Sequence, residues 1–333
     1  MSEEIKSLFL EYEDYFPIGA AVNPGVIESH RELLVKHFNS ITAENEMKFA
    51  EIHPKEGEYT FEKADALVEF AQTNHMKVRG HTLVWHNQTP DWVFSDASGN
   101  KVSEEVLLVR MKEHIQSVAG RYRGKVYAWD VVNEAIEDSE ASFLRESKWL
   151  ECLGEDFIEK AFIFAHEADP KAILFYNDYN ECSPAKSQKI YQLAKNLKDK
   201  GVPIHGIGLQ AHWNIYSPSP DEIKRAIEKY ASLGLQLQIT ELDVSLFAFT
   251  DHRTDMKSPE PELMEKQVKY YENIFRIFRE YKEIITGVTF WGVADDKTWL
   301  DKFPVKNRKN WPLLFDVQHQ PKEALWKVVD FSK

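Results

Sequence analysis

Two stretches of this chain decide its architecture: YAWDVVNE at residues 127–134 and LQITELDV at residues 237–244. Each is a short apolar run rich in β-branched and aromatic residues, which predicts a buried strand. Each also carries a glutamate near its carboxyl end, Glu134 in the first run and Glu241 in the second. The two runs therefore predict buried strands that each deliver one carboxylate to a strand end.

Similar apolar runs recur along the chain, and amphipathic helical patterns separate them. The eight predicted strands span residues 17–22, 40–44, 77–84, 126–133, 172–177, 206–211, 235–241 and 287–292. Eight alternations of strand and helix predict an α/β fold, a single (β/α)8 TIM barrel over residues 1–333. An open doubly wound sheet is the alternative, but no G-x-G-x-x-G or P-loop pattern follows any strand.

The composition limits the partners and the compartment. The chain has 333 residues and a net charge of −13 at pH 7, which argues against nucleic acids and anionic membranes as partners. It begins with polar and acidic residues and contains no long apolar window, so we expect neither a secretory signal nor a membrane span. Cys152 and Cys182 are the only cysteines, which predicts free thiols and a cytoplasmic protein. The sequence leaves the oligomeric state open.

Polar and aromatic side chains lie at the carboxyl ends of seven of the eight predicted strands. Barrels place their sites at that face, and the three longest predicted connections, roughly residues 85–102, 245–260 and 293–320, also lie there. The residues in question are Glu44, Asn45, Lys48, His81, Trp85, His86, Asn133, Glu134, Tyr179, Asn180, Gln210, His212, Glu241, Asp243, Trp291 and Trp299.

Two carboxylates raised from separate strands into one cleft are what the cleavage of a glycosidic bond requires. A single strand-end glutamate is ordinarily a salt-bridged rim residue, but two of them among amides and tryptophans favour a sugar site. His81 and His86 could suggest a metal, yet no histidine–x–histidine or H-E-x-x-H pattern accompanies them. We therefore expect no metal and no cofactor in the chemistry.

Six motifs, in order, give the chain a specific resemblance. It resembles the endo-β-1,4-xylanases of glycoside hydrolase family 10 over roughly residues 15–325. The matching motifs are TAENEMK (42–48), GHTLVWH (80–86), WDVVNEA (129–135), NDYN (177–180), ITELD (239–243) and FWGV (290–293). The expected lack of a signal and of a carbohydrate-binding module resembles the short intracellular branch of that family.

The resemblance implies roles for the central residues. It makes Glu134 the general acid/base and Glu241 the nucleophile of a retaining, double-displacement hydrolysis of xylo-oligosaccharides through a covalent glycosyl-enzyme. His212 would lie beside the nucleophile, with Asp243 behind it fixing the imidazole tautomer. A satisfied core histidine is the alternative for His212.

The remaining candidates are assigned to parts of the sugar. Asn133 and Gln210 would contact the sugar that is cleaved; the alternative is a strand-end turn asparagine for Asn133 and a structural hydrogen bonder for Gln210. Non-reducing-side subsites are expected from Glu44, Asn45, Lys48, His81, Trp85 and His86, with a surface salt bridge as the alternative for Lys48. Trp291 and Trp299 would form an aromatic wall, and Tyr179 and Asn180 would lie on the leaving-group side.

One departure from the family pattern is the aspartate pair Asp295–Asp296, where many members carry one aspartate followed by a basic residue. It bears on subsite preference, and the basic segment 306–309 is expected to brace this loop, to meet acidic substituents or simply to be a solvated turn. Two other functions remain open at this point: a retaining barrel glycosidase acting on β-1,4-glucans, and a catalytically silent carbohydrate-binding barrel.

Overall fold

The computed structural model describes residues 5–331, so the expectation based on Met1–Glu4 lies outside the described residues. The strands are β1 Ile18–Val22, β2 Ser40–Ala43, β3 Lys77–Trp85, β4 Val126–Asn133, β5 Ile173–Asp178, β6 Gly206–Leu209, β7 His212–Asn214, β8 Gln236–Ser245 and β9 Ile285–Phe290. The helices are α1 Leu8–Glu11, α2 Pro24–Ser29, α3 Arg31–His37, α4 Phe49–Ile52, α5 Glu62–Thr73, α6 Glu104–Arg121, α7 Lys148–Leu153, α8 Asp156–Ala168, α9 Pro184–Asp199, α10 Pro220–Ala231, α11 Pro261–Glu280 and α12 Glu323–Val329.

Parallel pairing closes the sheet on itself. The order runs β6-β5-β4-β3-β2-β1-β9-β8, and β6 pairs with β8 to complete the ring. The short β7 pairs only with the far end of β8, where His212 lies opposite Asp243. This closed eight-stranded barrel, with helices between its strands, confirms the predicted (β/α)8 fold.

The largest departure from the predicted strands lies at 206–211, which the structure divides into β6 and β7. Gln210 and Ala211 separate the two, because Ala211 adopts a left-handed backbone with φ of 58°. The main chain still follows the barrel there: Gln210 N donates to Asp178 O at 3.0 Å, and Glu241 N donates to Gln210 O at 2.9 Å. β8 in turn continues four residues beyond its predicted end and so includes Asp243.

Two helix features show how far local sequence decides local structure. In α5 the apolar residues that recur at helical spacing, Ala64, Leu67, Phe70 and Ala71, are buried. At the start of α10 the capping box forms: Glu222 N donates to Ser219 Oγ, and the Glu222 carboxylate accepts from Ser219 N at 2.8 Å. Within residues 5–331, none of these helices has both the length and the apolar character needed to cross a membrane.

The barrel interior beneath the site is polar and densely paired. Arg79 on β3 forms an ion pair with Asp130 on β4 and donates to Gln238 Oε1 on β8 at 2.8 Å. Gly208 on β6 leaves room for the side chain of Asn177, because a Cβ there would lie 2.3 Å from Asn177 Oδ1. These residues fix the strand ends from which the functional side chains rise.

The two ends of the chain meet beside the barrel. Tyr12, just after α1, donates its hydroxyl to Val328 O in α12 at 2.8 Å. Asp295, in the loop after β9, forms a buried ion pair of 2.9 Å with Lys322, which precedes α12. The loop over the site is therefore tied to the C-terminal segment.

Candidate active site

Glu241 lies on β8, 5% exposed, with a donor on each carboxylate oxygen. Asn177 Nδ2 donates to Oε1 at 2.8 Å, and His212 Nε2 lies 3.1 Å from Oε2. Burial opposes its ionisation, but the nearby charge of His81 and the hydrogen bond from His212 outweigh it and lower the pKa of Glu241. The carboxylate is therefore held ionised, as a nucleophile requires.

His212 is fixed between two carboxylates. Its Nδ1 lies 3.0 Å from Asp243 Oδ2, an oxygen that also accepts from Trp299 Nε1 at 2.8 Å. Burial lowers the pKa of His212, but Asp243 and Glu241 together reverse that effect and raise it to about 10. At neutral pH the imidazole is consequently a cation that donates from both ring nitrogens, one to each carboxylate.

Glu134 ends β4 and has a left-handed backbone, with φ of 56°. Trp85 Nε1 donates to its Oε2 at 2.9 Å, and Gln210 Nε2 donates to its Oε1 at 3.0 Å. Arg145 binds only its main-chain oxygen, at 3.0 Å. The Glu134 carboxylate thus receives hydrogen bonds from neutral donors, in contrast to the cationic partner of Glu241.

Three amides link the two carboxylates. Asn133 Oδ1 accepts from Asn177 Nδ2 at 2.9 Å and from Gln210 Nε2 at 3.2 Å. Asn177 also donates to Glu241 and Gln210 also donates to Glu134. The chain of hydrogen bonds brings Asn133, Gln210 and both glutamates together as predicted, and it fixes the relative positions of the two carboxylates.

Lys48, Asn45 and Trp85 form one side of the site. Lys48 Nζ donates to Asn45 Oδ1 at 3.1 Å and lies 4.9 Å from the centre of the Trp85 ring system. Burial lowers the pKa of Lys48, while Glu241, Glu44 and Glu134 act in the opposite direction. Lys48 is 7% exposed and belongs to this cleft, so the surface salt bridge considered for it is wrong.

Glu44 and His86 flank that group. Glu44 accepts from Asn23 Nδ2 at 3.0 Å, and the His86 ring meets Trp85 edge-on with centroids 5.8 Å apart. His81 occupies a different place, against Glu241: its Nδ1 lies 2.8 Å from Asp130 and 3.9 Å from Glu241 Oε1. His81 therefore acts on the charge of Glu241, a role that the assignment to sugar subsites did not include.

Tyr179 and Asn180 lie together at the end of β5. The Tyr179 hydroxyl donates to Asp138 at 2.5 Å and accepts from Arg145 at 2.6 Å, and Asn180 Nδ2 donates to Asp138 at 3.4 Å. Asp138 also forms an ion pair with Lys186 at 2.7 Å. The loop after β4 thus supplies Asp138 and Arg145, which strand-end reasoning missed because they lie beyond the strand.

Asn177 is a site residue that the sequence candidates do not include. It lies in the NDYN motif and donates to Glu241. Its position at the end of β5, in line with Asn133 at the end of β4, was the available signal.

An aromatic surface borders the site on the β9 side. Trp291 lies edge-on to His81, with centroids 5.3 Å apart, and Trp299 lies 4.8 Å from the His212 ring. Beyond Trp299, Phe303 stacks at 5.2 Å and Phe249 follows at 6.0 Å, and both are exposed. The predicted wall of two tryptophans is therefore longer by two phenylalanines from the loops after β8 and β9.

The departure at Asp295–Asp296 has a structural explanation. Asp295 is fully buried against Lys322, so it cannot be a substrate ligand, while Asp296 lies between His30 and His319. In the basic segment 306–309, Arg308 donates to the Asp251 main chain and Lys309 pairs with Asp301. This segment braces the loops after β8 and β9, one of the roles that the sequence left open.

Paired carboxylates at the mouth of a (β/α)8 barrel, surrounded by amides and tryptophans, define a glycoside hydrolase. The model of glycosyl hydrolase family 10 matches residues 7–331. The chain belongs to this family, whose members retain anomeric configuration.

Proteins similar to this one match almost its whole length. The chain is 58% identical to endo-1,4-beta-xylanase B of Paenibacillus barcinonensis, over 99% of both chains. It is 57% identical to an endo-1,4-beta-xylanase of Geobacillus stearothermophilus, over 99% of this chain and 100% of the other. Among solved structures, xylanase XynB of Paenibacillus barcinonensis in complex with a conduramine derivative superposes with a TM-score of 0.97 at 58% identity, over 98% of this chain and 99% of that one.

Proposed function

We propose that this protein is a retaining endo-1,4-β-xylanase in which Glu241 is the nucleophile and Glu134 the general acid/base. The observation that carries the proposal is the unequal environment of the two carboxylates. Glu241 is buried against a histidinium that keeps it ionised, while the Glu134 carboxylate accepts hydrogen bonds from the neutral side chains of Trp85 and Gln210. Such a difference is how paired carboxylates divide nucleophilic and acid roles.

The reaction would proceed in two displacements. Glu241 attacks the anomeric carbon while Glu134 protonates the departing glycosidic oxygen, which gives a covalent glycosyl-enzyme. Glu134 then removes a proton from water, which attacks the same carbon and releases Glu241. The amide chain through Asn133, Asn177 and Gln210 keeps both carboxylates oriented during the two steps.

The surrounding residues supply the substrate subsites in this proposal. The non-reducing side would be held by Glu44, Asn45, Lys48, Trp85 and His86, and the leaving group by Tyr179 and Asn180. Asn133 and Gln210 would contact the reacting sugar, and Trp291 and Trp299 would pack on pyranose faces.

Azide rescue tests the two roles separately. With a xyloside bearing a good leaving group, Glu134→Ala plus azide should give the β-glycosyl azide, because azide replaces water on the covalent intermediate. Glu241→Ala plus azide should give the α-glycosyl azide, because a single attack comes from the opposite face. Glu140→Ala, an exposed glutamate in the loop after β4, is the control and should hydrolyse as the wild type does. The same anomer from both variants would contradict the assignment.

Stereochemistry and substrate choice test the activity itself. Proton NMR of xylohexaose hydrolysis should show the β-anomer first, and an initial α-anomer would rule out retention. Xylohexaose should be cleaved much faster than cellohexaose. Equal rates on the two would favour a β-1,4-glucan glycosidase instead.

We also propose that the protein is a single catalytic barrel acting on xylo-oligosaccharides in the cytoplasm. Cys152 and Cys182 are both free, and Cys182 is buried, which suits a reducing compartment. Fractionation of the native cells should leave the activity with a cytosolic marker. Activity mainly in the medium, or strong retention on insoluble xylan, would refute this part and leave the chemistry unaffected.

A further inference from the structure

Three side chains of the kinds that bind metal ions lie close together outside the candidate active site. His30 lies at the junction of α2 and α3, Asp296 in the loop after β9, and His319 in the turn before α12. Within residues 5–331 these three offer ligand atoms that all lie within 4.8 Å of one another. His30 Nε2 is 2.9 Å and His319 Nε2 is 3.4 Å from the same oxygen, Asp296 Oδ1.

We propose that His30, Asp296 and His319 bind a divalent transition-metal ion of the Zn²⁺ type at a site that stabilises the fold. Two imidazoles and one carboxylate are ligands that zinc accepts, with metal–ligand distances of about 2.0–2.2 Å. In a tetrahedron of that size the ligand atoms are about 3.4 Å apart. The two separations from Asp296 differ from this value by about half an ångström or less, and the fourth position is left to solvent.

The hydrogen bonds behind His30 orient its free nitrogen toward the carboxylate. Ser29 Oγ donates its proton to Gly25 O at 2.7 Å and accepts from Lys297 Nζ at 2.9 Å, so it acts as an acceptor toward His30 Nδ1 at 2.8 Å. His30 Nε2 is then the ring nitrogen available to a metal ion, and it lies 2.9 Å from Asp296 Oδ1.

The turn that carries His319 is preformed. His319 has a left-handed backbone with φ of 62°, and its N–H donates to Asp316 O at 3.0 Å. The Asp316 carboxylate accepts from Gln318 N and Gln320 N, both at 2.8 Å. The two imidazoles already face each other, with centroids 4.2 Å apart, so binding would order little that is not ordered already.

A bound ion would join three segments that are distant in sequence. Asp296 lies three residues before Trp299, whose indole donates to Asp243. The expected consequence is that the ion stabilises this loop and the C-terminal turn against local opening, without any part in the chemistry.

The decisive variant is His319→Asn, because asparagine tolerates the left-handed backbone but removes the imidazole. After treatment with a chelator, titration calorimetry with Zn²⁺ should show one more bound equivalent for the wild type than for the variant. The same Zn²⁺ concentration should raise the melting temperature of the wild type only. Co²⁺ bound to the wild type should show the intense visible absorption of a four-coordinate site, which the variant should lack.

His75→Asn is the matched control. His75 is an exposed histidine that also has a left-handed backbone, with φ of 56°, so this change reproduces the backbone effect outside the cluster. It should leave the Zn²⁺ response intact. Equal Zn²⁺ binding by the wild type and His319→Asn, or equal loss of binding in both variants, would overturn the proposal and leave the cluster as a hydrogen-bonded group only. Xylan hydrolysis enters none of these measurements, so they do not depend on the proposed function.

Discussion

The ionised state of Glu241 depends on partners from three different strands. Asn177 comes from β5, His212 from β7 and His81 from β3, while the like charge of Asp130 on β4 acts against ionisation. His212 and Asp243 could be selected from the sequence because both lie at the carboxyl end of a predicted strand and the resemblance places them beside the nucleophile. The place of His81 against Glu241 could not be predicted, because it depends on how strand ends converge across the barrel, and Asn177 was signalled only by its place at the end of a strand.

The pH dependence of stability tests the His212 ion pair. The pKa of His212 is about 10 in the folded protein and about 6.5 in an unfolded chain. Its contribution is complete below pH ~6.5 and is lost as the pH rises toward ~10. In that range the wild-type free energy of unfolding should fall faster than that of His212→Asn, by up to about 1.4 kcal/mol per pH unit.

Urea unfolding at several pH values between 6 and 10 is the measurement. His75→Asn, which changes an exposed histidine, should run parallel to the wild type. A constant difference between the wild type and His212→Asn across this range would contradict the ion pair.

At the scale of elements, the alternation of strands and helices was predictable, but the strand ends were not. No residue in the run at 206–211 predicts an interruption of the strand, yet Ala211 adopts a left-handed backbone and divides the run into β6 and β7. The break lets Gln210 turn toward Glu134 and His212 toward Glu241. Tertiary hydrogen bonds determine this geometry, so a pattern of period two could not reveal it.

Gly208→Ala tests the close packing of β6 against β5. The new Cβ would lie 2.3 Å from Asn177 Oδ1 and 2.9 Å from Thr240 Cγ2, so Asn177 must move away from Glu241. We expect kcat on xylohexaose to fall on the order of 10²-fold, with a stability loss of about 1–3 kcal/mol. Gly120→Ala, whose Cβ meets nothing within 4 Å, should keep full activity. Wild-type kcat for Gly208→Ala would show that the position of Asn177 is unimportant.

Ser219→Ala tests the capping box of α10. The change removes the hydrogen bond from Glu222 N and should lower the free energy of unfolding by about 1 kcal/mol, with activity retained. Ser183→Ala is the control, because Ser183 precedes α9 without a side-chain cap bond. Chemical denaturation of both variants gives the comparison, and an equal loss in the two would mean that the box contributes nothing.

At the scale of the whole molecule, the loop over the site depends on the C-terminal segment. Lys322 donates to Asp295 at 2.9 Å and to Trp311 O at 2.7 Å, and all three groups are buried. The sequence indicated the aspartate pair as a departure but could not assign it a partner 27 residues away. Only the folded structure separates Asp295, which holds the loop, from Asp296, which faces the two histidines.

Lys322→Met tests this connection. It leaves Asp295 buried and unpaired, which should cost about 3–5 kcal/mol of stability near pH 8. Burial, opposed by Lys322, already raises the pKa of Asp295 to about 6, and without the lysine it should rise further. A carboxyl group whose pKa is raised by folding destabilises the folded protein at high pH, where the group must ionise. The stability lost in Lys322→Met should therefore shrink as the pH falls toward 5. Urea unfolding of this variant and of Asp295→Asn/Lys322→Met is the check: the double variant should recover much of the loss and should show no such pH dependence.

The closure of the ring between β1 and β9 has a consequence for how the protein is made. β1 is synthesised among the first residues, but its second neighbour, β9, emerges from the ribosome roughly 10–50 s later at ordinary elongation rates. Until β9 is made, β1 exposes unpaired backbone groups on the nascent chain, and β8 does so as well once it has been synthesised. Nascent chains that stop before residue 285 should therefore recruit chaperones or aggregate, and a few added residues that supply β9 should release them.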